Sequence, residues 1–403
     1  MPILQEDVRI EDPQFYVNPF PLYARLRQED PAYYREDLRM WVLTRYDDVT
    51  YVSKQPMLFS NRGGNLLADA LAGTCLAKDY FAGNEFILTA DPPRHNELRR
   101  LISPAFTPRR VAQMEDEVRG FCRALVGSIP VDERVDYIST VATILPLAVI
   151  SKLLGLRNST IDDLERWSFE LMKVGQKFTE AERQLSVEVF SHMNEFMLAQ
   201  FDLKRQQPAE DLLSTLLTAE LDNEKISEEN ILMWASLVLA GGHETTRALI
   251  GNMVYALGTH PAQLEVLAAD HAFARPAVEE SLRWMTLAHG SVRAVSADTE
   301  FHERMMRQDD WVYMIFQAAN RDPEVFTDPE VFDITTPRSM ENLAFGAGQH
   351  FCPGNQLARL EARILIEELT SRFSHWEINA GTPISSTLRT GFDDLWVTFR
   401  CRS

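Results

Sequence analysis

The residues best equipped for chemistry lie in one decapeptide, Phe345-Gly346-Ala347-Gly348-Gln349-His350-Phe351-Cys352-Pro353-Gly354, directly before a helical stretch. Its glycines permit a tight loop and a close backbone approach to a flat ligand. A cysteine just ahead of a helix N-terminus is favoured as thiolate by the positive end of the helix dipole. Thiolate sulfur is a strong axial donor to iron. A lone cysteine is more often a buried, inert thiol, so the neighbouring residues carry the argument.

Three further groups stand out. Ala240-Gly241-Gly242-His243-Glu244-Thr245-Thr246 sits mid-way along a helical pattern from Ser227 to Gly258. Glycine costs about 1 kcal/mol in a helix interior, so something must offset two of them. Gly241 and Thr245 are i and i+4, which sets a small residue beside a hydroxyl and leaves room for a diatomic ligand with an acid next door. Glu280 and Arg283 are i and i+3 and form a pair on their helix. His95 and Arg99 are i and i+4, so both can reach one ligand from one helix face. Each of these patterns is weak alone, since paired charges at such spacings are mostly solvated faces.

The elements that must position these groups are mainly helical. Apolar residues at three- and four-residue spacing predict helices over Val111–Leu125, Leu164–Val174 and Ala181–Leu203. The pattern from Ser227 to Gly258 is 32 residues, or about 48 Å, enough to cross a whole domain. A last helix is expected from Asn355 to about Phe373, apolar on more than one side. Trp41-Val42-Leu43-Thr44 and Thr50-Tyr51-Val52 read as strand edges, 61–90 as a long loop and 291–340 as strands and turns. Trp376–Phe399 reads as a hairpin around Thr390-Gly391. Composition agrees with a globular protein: of 403 residues, 45% are hydrophobic and 25% charged. The net charge of −19 argues against nucleic-acid binding. Four cysteines suit a reducing cytoplasm, no apolar run reaches membrane-span length, and the N-terminus carries no secretory signal, so the expected location is cytoplasmic.

Together Phe345, Gly346, Gly348, His350, Cys352 and Gly354 match the cysteine-ligand loop of the cytochrome P-450 superfamily, which this chain resembles over almost its whole length. Gly242, His243, Glu244 and Thr245 resemble the superfamily's distal Gly-x-acid-Thr motif, and Glu280 with Arg283 its structural Glu-x-x-Arg pair. Pro353 stands where many relatives have an aliphatic residue, and Asn342 where many have a histidine. The resemblance implies a mainly α fold with minor β and a long central helix over a haem. It also implies a single domain over residues 1–403, with no fused reductase. It implies heme b (iron protoporphyrin IX) with Cys352 as the axial metal ligand, in a loop shaped by Phe345, Gly346 and Gly354. His95, Arg99, Arg293 and His350 would take the propionates. Glu244 and Thr245 would be the catalytic pair: Thr245 offers a hydroxyl where O2 is activated, and Glu244 feeds protons there through water. Glu280–Arg283 would brace the core around the cysteine loop, with Arg338 as the candidate third partner.

The implied activity is a haem-thiolate monooxygenase. It would hydroxylate a hydrophobic small molecule (sterol, terpenoid, long alkyl or polyketide-like) with O2 and electrons from a ferredoxin and an NAD(P)H-dependent ferredoxin reductase. Coupling, desaturation or another non-hydroxylating oxidation, and a non-enzymatic haem sensor, are the alternatives. Glu244 and Thr245 argue against a peroxide-driven relative. Arg100, Arg109, Arg110, Arg359 and Arg363 are the candidate basic patch for the ferredoxin. The substrate pocket is expected from loop 61–90, the helix pair Leu171–Phe201, Leu287–Val292 and Leu388–Phe392. His289, polar within an apolar segment, is expected to bond backbone rather than substrate.

Overall fold

A computed structural model describes residues 3–76, 86–173, 179–221 and 223–401, with the backbone alone at Arg338. Helices dominate, as expected. The central one runs Glu228–Thr259, 32 residues long. Its start is fixed locally: the Ser227 side chain accepts from the Asn230 N–H, and Glu228 and Glu229 occupy the positive first turn. Pro261 opens the next helix just beyond His260, where this one ends. The central helix is buried on nearly every side. It packs against helices Ile144–Leu154, Ile161–Leu171, Ala274–Trp284 and Asn355–Arg372. A wide apolar arc is what such a position requires, and Asn355–Arg372 has one too.

Strands form two principal sheets. One is five-stranded, in the order Ala32–Arg35, Met40–Leu43, Trp311–Ile315, Gly290–Val295, Phe59–Ser60. Met40–Leu43 and Trp311–Ile315 pair in parallel, and the other neighbours are antiparallel. The other sheet joins the long hairpin Phe373–Pro383 and Phe392–Cys401 to Arg134–Asp136. This hairpin sends the loop 384–391 back toward the central helix.

Local expectations need correction at three places. Thr50-Tyr51-Val52 lies in the helix Tyr46–Ser53, not in a strand. Asp47 and Asp48 favour a helix start there, and Val49 and Val52, three apart, share the buried side. The pattern Val111–Leu125 is two helices, Pro108–Gln113 and Glu115–Ser128, broken at Met114. The helix Leu67–Ala72 lies within 61–90, which reads as a loop, and Arg134–Asp136 adds a short strand that the sequence pattern does not mark.

Candidate haem-thiolate site

The cysteine loop is built by its glycines. Gly346 and Gly348 take φ of 71° and 67°, in the left-handed region that side chains disfavour. A Cβ at Gly348 would also collide with the Ser53 carbonyl oxygen. The loop closes on itself where the Cys352 N–H donates to the Phe345 carbonyl at 3.0 Å. The Asn355 side chain then donates to the Cys352 carbonyl at 2.7 Å, at the first turn of Asn355–Arg372.

Above this loop lies a cavity of about 350 Å³. Cys352, Phe345, Gly346 and Gly354 form its floor, and Gly241, Gly242, Thr245 and Thr246 of the central helix line it from the other side. Gly241 and Thr245 face the cavity, as their spacing requires. A Cβ on Gly241 would meet nothing within 4 Å, while one on Gly242 would overlap the end of Ile150. The Thr245 hydroxyl donates to the Gly241 carbonyl at 2.5 Å. Its lone pairs are thereby directed away from the helix backbone.

One end of the cavity is cationic. His95, Arg99, Arg293 and His350 all line it. The two imidazoles lie 4.2 Å apart between ring centres. Both Nε2 atoms are buried without a partner. Burial, with Arg293, His95 and Arg99 close by, pushes His350 down to about 2. Burial lowers Arg293 to about 10, opposed by Asp91. Arg99 donates to the Phe351 carbonyl at 2.7 Å, tying its helix to the cysteine loop. Unpartnered imidazole nitrogens beside two buried or half-buried arginines ask for a polar, anionic ligand. With a soft sulfur donor at the floor and a bare glycine opposite, they fit a flat, anionic macrocycle carrying iron.

The family comparisons agree with this geometry. The family model "Cytochrome P450" matches residues 147–270 and 269–392. The chain belongs to the cytochrome P450 family. It is 34% identical over 321 residues to a steroid C26-monooxygenase of Mycobacterium tuberculosis strain CDC 1551, covering 79% of this chain and 82% of that one. It is 38% identical over 288 residues to cytochrome P450 107B1 of Saccharopolyspora erythraea, covering 71% and 69%. Among solved structures it resembles P450 CYP109Q5 from Chondromyces apiculatus, with 31% identity, a TM-score of 0.84 and 98% of each chain covered. As a P450 it is a haem-dependent monooxygenase, an oxidoreductase with a haem ligated by cysteine thiolate. Among the described residues no helix is long and apolar enough to cross a membrane.

Sulfur electrostatics in this P450 are a balance. Burial raises the Cys352 thiol. The backbone N–H of Gly354, the Arg99 and Arg359 guanidinium groups and the Asn355 N–H all pull it down. The helix start thus counters the desolvation that the sequence reading left out. Arg359 is bound into this arrangement. It meets the fully buried Glu279 at 2.6 and 3.0 Å and stacks over the Phe345 ring at 4.4 Å. Asn342 donates to the same carboxylate at 3.0 Å and faces Glu279 rather than the cavity. Arg359 is therefore a brace of the cysteine loop, and only 20% of its side chain is exposed.

The Glu280–Arg283 pair is formed through two 2.7 Å hydrogen bonds. Arg283 reaches on to the carbonyls of Asn320, Pro329 and Val331, and the Asp333 N–H donates to Glu280. These backbone groups tie down the chain leading into the cysteine loop. The Arg338 side chain, the expected third partner, lies outside the described residues.

Glu244 stands off the cavity wall. Fully buried, it meets Arg389 Nη1 at 2.7 Å, His243 Nδ1 at 3.3 Å and Arg247 Nη1 at 3.8 Å. His243 bonds Ser168 at 2.8 Å and is pushed down to about 3, by burial first and then by Arg247 and Arg389. Arg389 was missed by sequence reasoning, and no local pattern marks it. Glu361 was also missed. It lines the cavity, has an unpartnered Oε2, and burial holds its carboxyl far above the usual range.

The pocket expectation holds in part. Asn61, Asn65, Leu66, Ile87 and Leu88 contribute from loop 61–90, whose residues 77–85 lie outside the described residues. Leu287, Ala288, Gly290, Ser291 and Leu388 contribute as expected. The helix pair Leu171–Phe201 does not reach this cavity, among the described residues. Met172 and Lys173, with Phe169 just before them, line a second, outer cavity instead. Ile150, Leu237 and Val238 take the place expected of that pair. His289 stacks on Tyr16 at 4.0 Å, meets the Ser386 carbonyl at 3.1 Å and does not line the cavity.

Proposed function

We propose that this P450 hydroxylates a largely apolar small molecule of sterol, terpenoid, long alkyl or polyketide type. It would use heme b, O2 and electrons delivered by a separate ferredoxin and NAD(P)H-dependent ferredoxin reductase in the cytoplasm. The observation that carries this reading is the apolar wall of the cavity over Cys352, supplied by Leu66, Ile87, Leu88, Leu237, Val238 and Leu287. A wall of that kind binds by excluding water and offers few groups to orient a polar substrate. Relatives named for steroid C26 oxidation, and a structural neighbour described as P450BioI with a hexadecenoic acid-ligated acyl carrier protein, support the substrate class.

The residues divide the work as follows. When bound, the haem supplies the oxidising chemistry, using O2 and two electrons. Cys352 Sγ would hold the iron, and His95, Arg99, Arg293 and His350 would take the propionates. Thr245 would present its hydroxyl proton to the cavity, and Glu244 would resupply that proton through water. Apolar side chains line most of the remaining wall and limit the entry of other water. For electron delivery, Arg100 and Arg109 are the exposed cations beside the cysteine-side helix. Arg359 and Arg363 are engaged by Glu279, Glu115 and Glu367, and Arg110 by Glu210, which narrows the docking patch to Arg100 and Arg109.

The test has two parts. The reduced, carbon-monoxide-bound protein should show the red-shifted Soret band of thiolate ligation, and Cys352→Ala should abolish it while Cys122→Ala keeps it. Sterols, terpenoids, fatty acids and macrolides are then titrated against the haem spin-state spectrum, and shifting compounds are turned over with a ferredoxin system. A Cys352→Ala protein that keeps the band refutes the ligand assignment. A panel in which only polar compounds shift the spectrum refutes the substrate class.

A further inference from the structure

Glu244 has a partner that the reading above does not use. Arg389 comes from the loop 384–391, far along the chain, and its Nη1 lies 2.7 Å from Glu244 Oε2. Yet neither carboxylate oxygen completes a hydrogen bond, and that nitrogen does not either. The contact is a charge pair without a directional bond, so parting it sacrifices Coulomb energy but no hydrogen bond. Arg389 also lines the outer cavity, of about 370 Å³, with Phe169, Lys173 and Ser386. Leu66 and Leu388 line both cavities, so they form the partition between outer and inner spaces.

The other groups facing Glu244 are differently tied. Arg247 is held by Thr143 Oγ1 at 3.1 Å and the Asp393 carbonyl at 3.3 Å. His243 is held by Ser168. The Glu165 carboxylate acts on Glu244 from helix Ile161–Leu171, and that of Asp393 acts on Arg389 from the hairpin. Among the described residues, Arg389 alone both lines the outer cavity and touches Glu244.

We propose that Arg389 is the positioning residue that connects Glu244 to water in the outer cavity and so controls proton supply to Thr245. As the guanidinium moves aside, the Glu244 carboxylate takes a proton from outer-cavity water in exchange with bulk solvent and then passes it inward. The pair then returns to its starting charge. This proposal rests on the reading of Glu244 as the proton source.

The experiment is a double-mutant cycle on the haem-loaded protein with Glu244→Gln, Arg389→Gln and the double variant, plus Arg389→Lys. Glu244→Gln should slow product formation about tenfold or more and enlarge the solvent isotope effect. Arg389→Gln should slow it about fivefold, also with a larger isotope effect, but less than twofold in the Glu244→Gln background, since linked residues are non-additive. Arg389→Lys should keep at least half the rate. A readout independent of turnover accompanies these. The isotope-edited carboxylate infrared band of Glu244 should shift in Arg389→Gln, while the reduced carbon-monoxide spectrum stays unchanged. If Arg389→Gln slows the double variant as much as it slows the wild type, Arg389 acts through the fold and the proposal is overturned. If Arg389→Gln turns over at the wild-type rate while Glu244→Gln is slow, protons reach Glu244 by another path and only this proposal falls. If Glu244→Gln itself turns over normally, the reading of Glu244 falls and takes this proposal with it.

Discussion

Gly241 and Gly242 are chemically identical neighbours on one helix, and the structure assigns them opposite consequences when each becomes alanine. An alanine in a helix interior is favoured over glycine by about 1 kcal/mol. At Gly241 a Cβ meets nothing within 4 Å, so Gly241→Ala should keep that gain. At Gly242 a Cβ would overlap Ile150 Cδ1 and stand 2.8 Å from its Cγ1. Overpacking of this kind costs about 1–3 kcal/mol, so Gly242→Ala should be neutral to about 2 kcal/mol destabilising. The two variants should therefore differ by about 1–3 kcal/mol. At roughly 2.1 cal/mol/K per residue, that is a Tm difference of about 1–4 °C for a chain of 403 residues. Scanning calorimetry of the haem-loaded proteins resolves it. Gly241→Ala should then show its cost in ligand space: the methyl points into the cavity beside Thr245, so imidazole should bind the haem about fivefold more weakly, near 1 kcal/mol. Equal melting temperatures for the two variants would refute the packing argument. Weakened imidazole binding by Gly242→Ala alone would show that the helix is rotated by one residue from its described setting.

The brace at the cysteine loop and a buried histidine give two more tests. Arg359→Met strands the fully buried Glu279 with Asn342 as its remaining side-chain donor. The cost should be about 3–5 kcal/mol of stability, with partial conversion of the thiolate Soret band to that of neutral thiol. Its reduction rate by ferredoxin, measured by stopped flow at several salt concentrations, should keep the wild-type salt dependence, because the guanidinium is largely buried and neutralised by Glu279. His289 is pushed down to about 4 by burial, so the folded protein keeps it neutral while the unfolded chain protonates near its ordinary value. The unfolded state then binds more protons below pH 6.5, and His289 contributes up to about 1.4 kcal/mol per pH unit to the loss of stability on acidification down to about pH 4. Denaturant unfolding between pH 7 and pH 4.5 should show His289→Gln losing that much of the slope; an unchanged slope would refute it.

What the sequence made legible was local. The cysteine loop, the Glu280–Arg283 pair and the Gly241–Thr245 spacing all lie within a few residues. Helical periodicity or turn chemistry therefore fixes their relative positions before any tertiary contact forms. The central helix was legible for the same reason, with Ser227 as cap and Pro261 as stop. Thr50-Tyr51-Val52 misled because three residues of high strand propensity outweigh an acidic helix start only when tertiary packing is ignored. The reach of the helix pair near Leu171 was misjudged because an apolar face does not say which of two adjoining cavities it borders.

The partners that set the charge states were not legible at all. Glu244 finds Arg389 on the C-terminal hairpin, and Glu279 finds Arg359 on a different helix. In each case the sequence shows only a carboxylate and, far away, one arginine among many. Burial is what makes the pairing obligatory. A charge removed from water must be met by an opposite charge wherever the fold can bring one. The cationic end of the cavity follows the same rule in reverse. Arg99, Arg293, His95 and His350 converge there, and the two imidazole Nε2 atoms have no protein partner. Glu244 and Glu279 are each clasped by arginine, whereas this corner brings two arginines together with no carboxylate against them at hydrogen-bond distance among the described residues. Such a corner is stable in a folded core only if the anion it receives comes with the prosthetic group. The residues proposed to take the propionates are thus the ones whose desolvation a bound haem would repay.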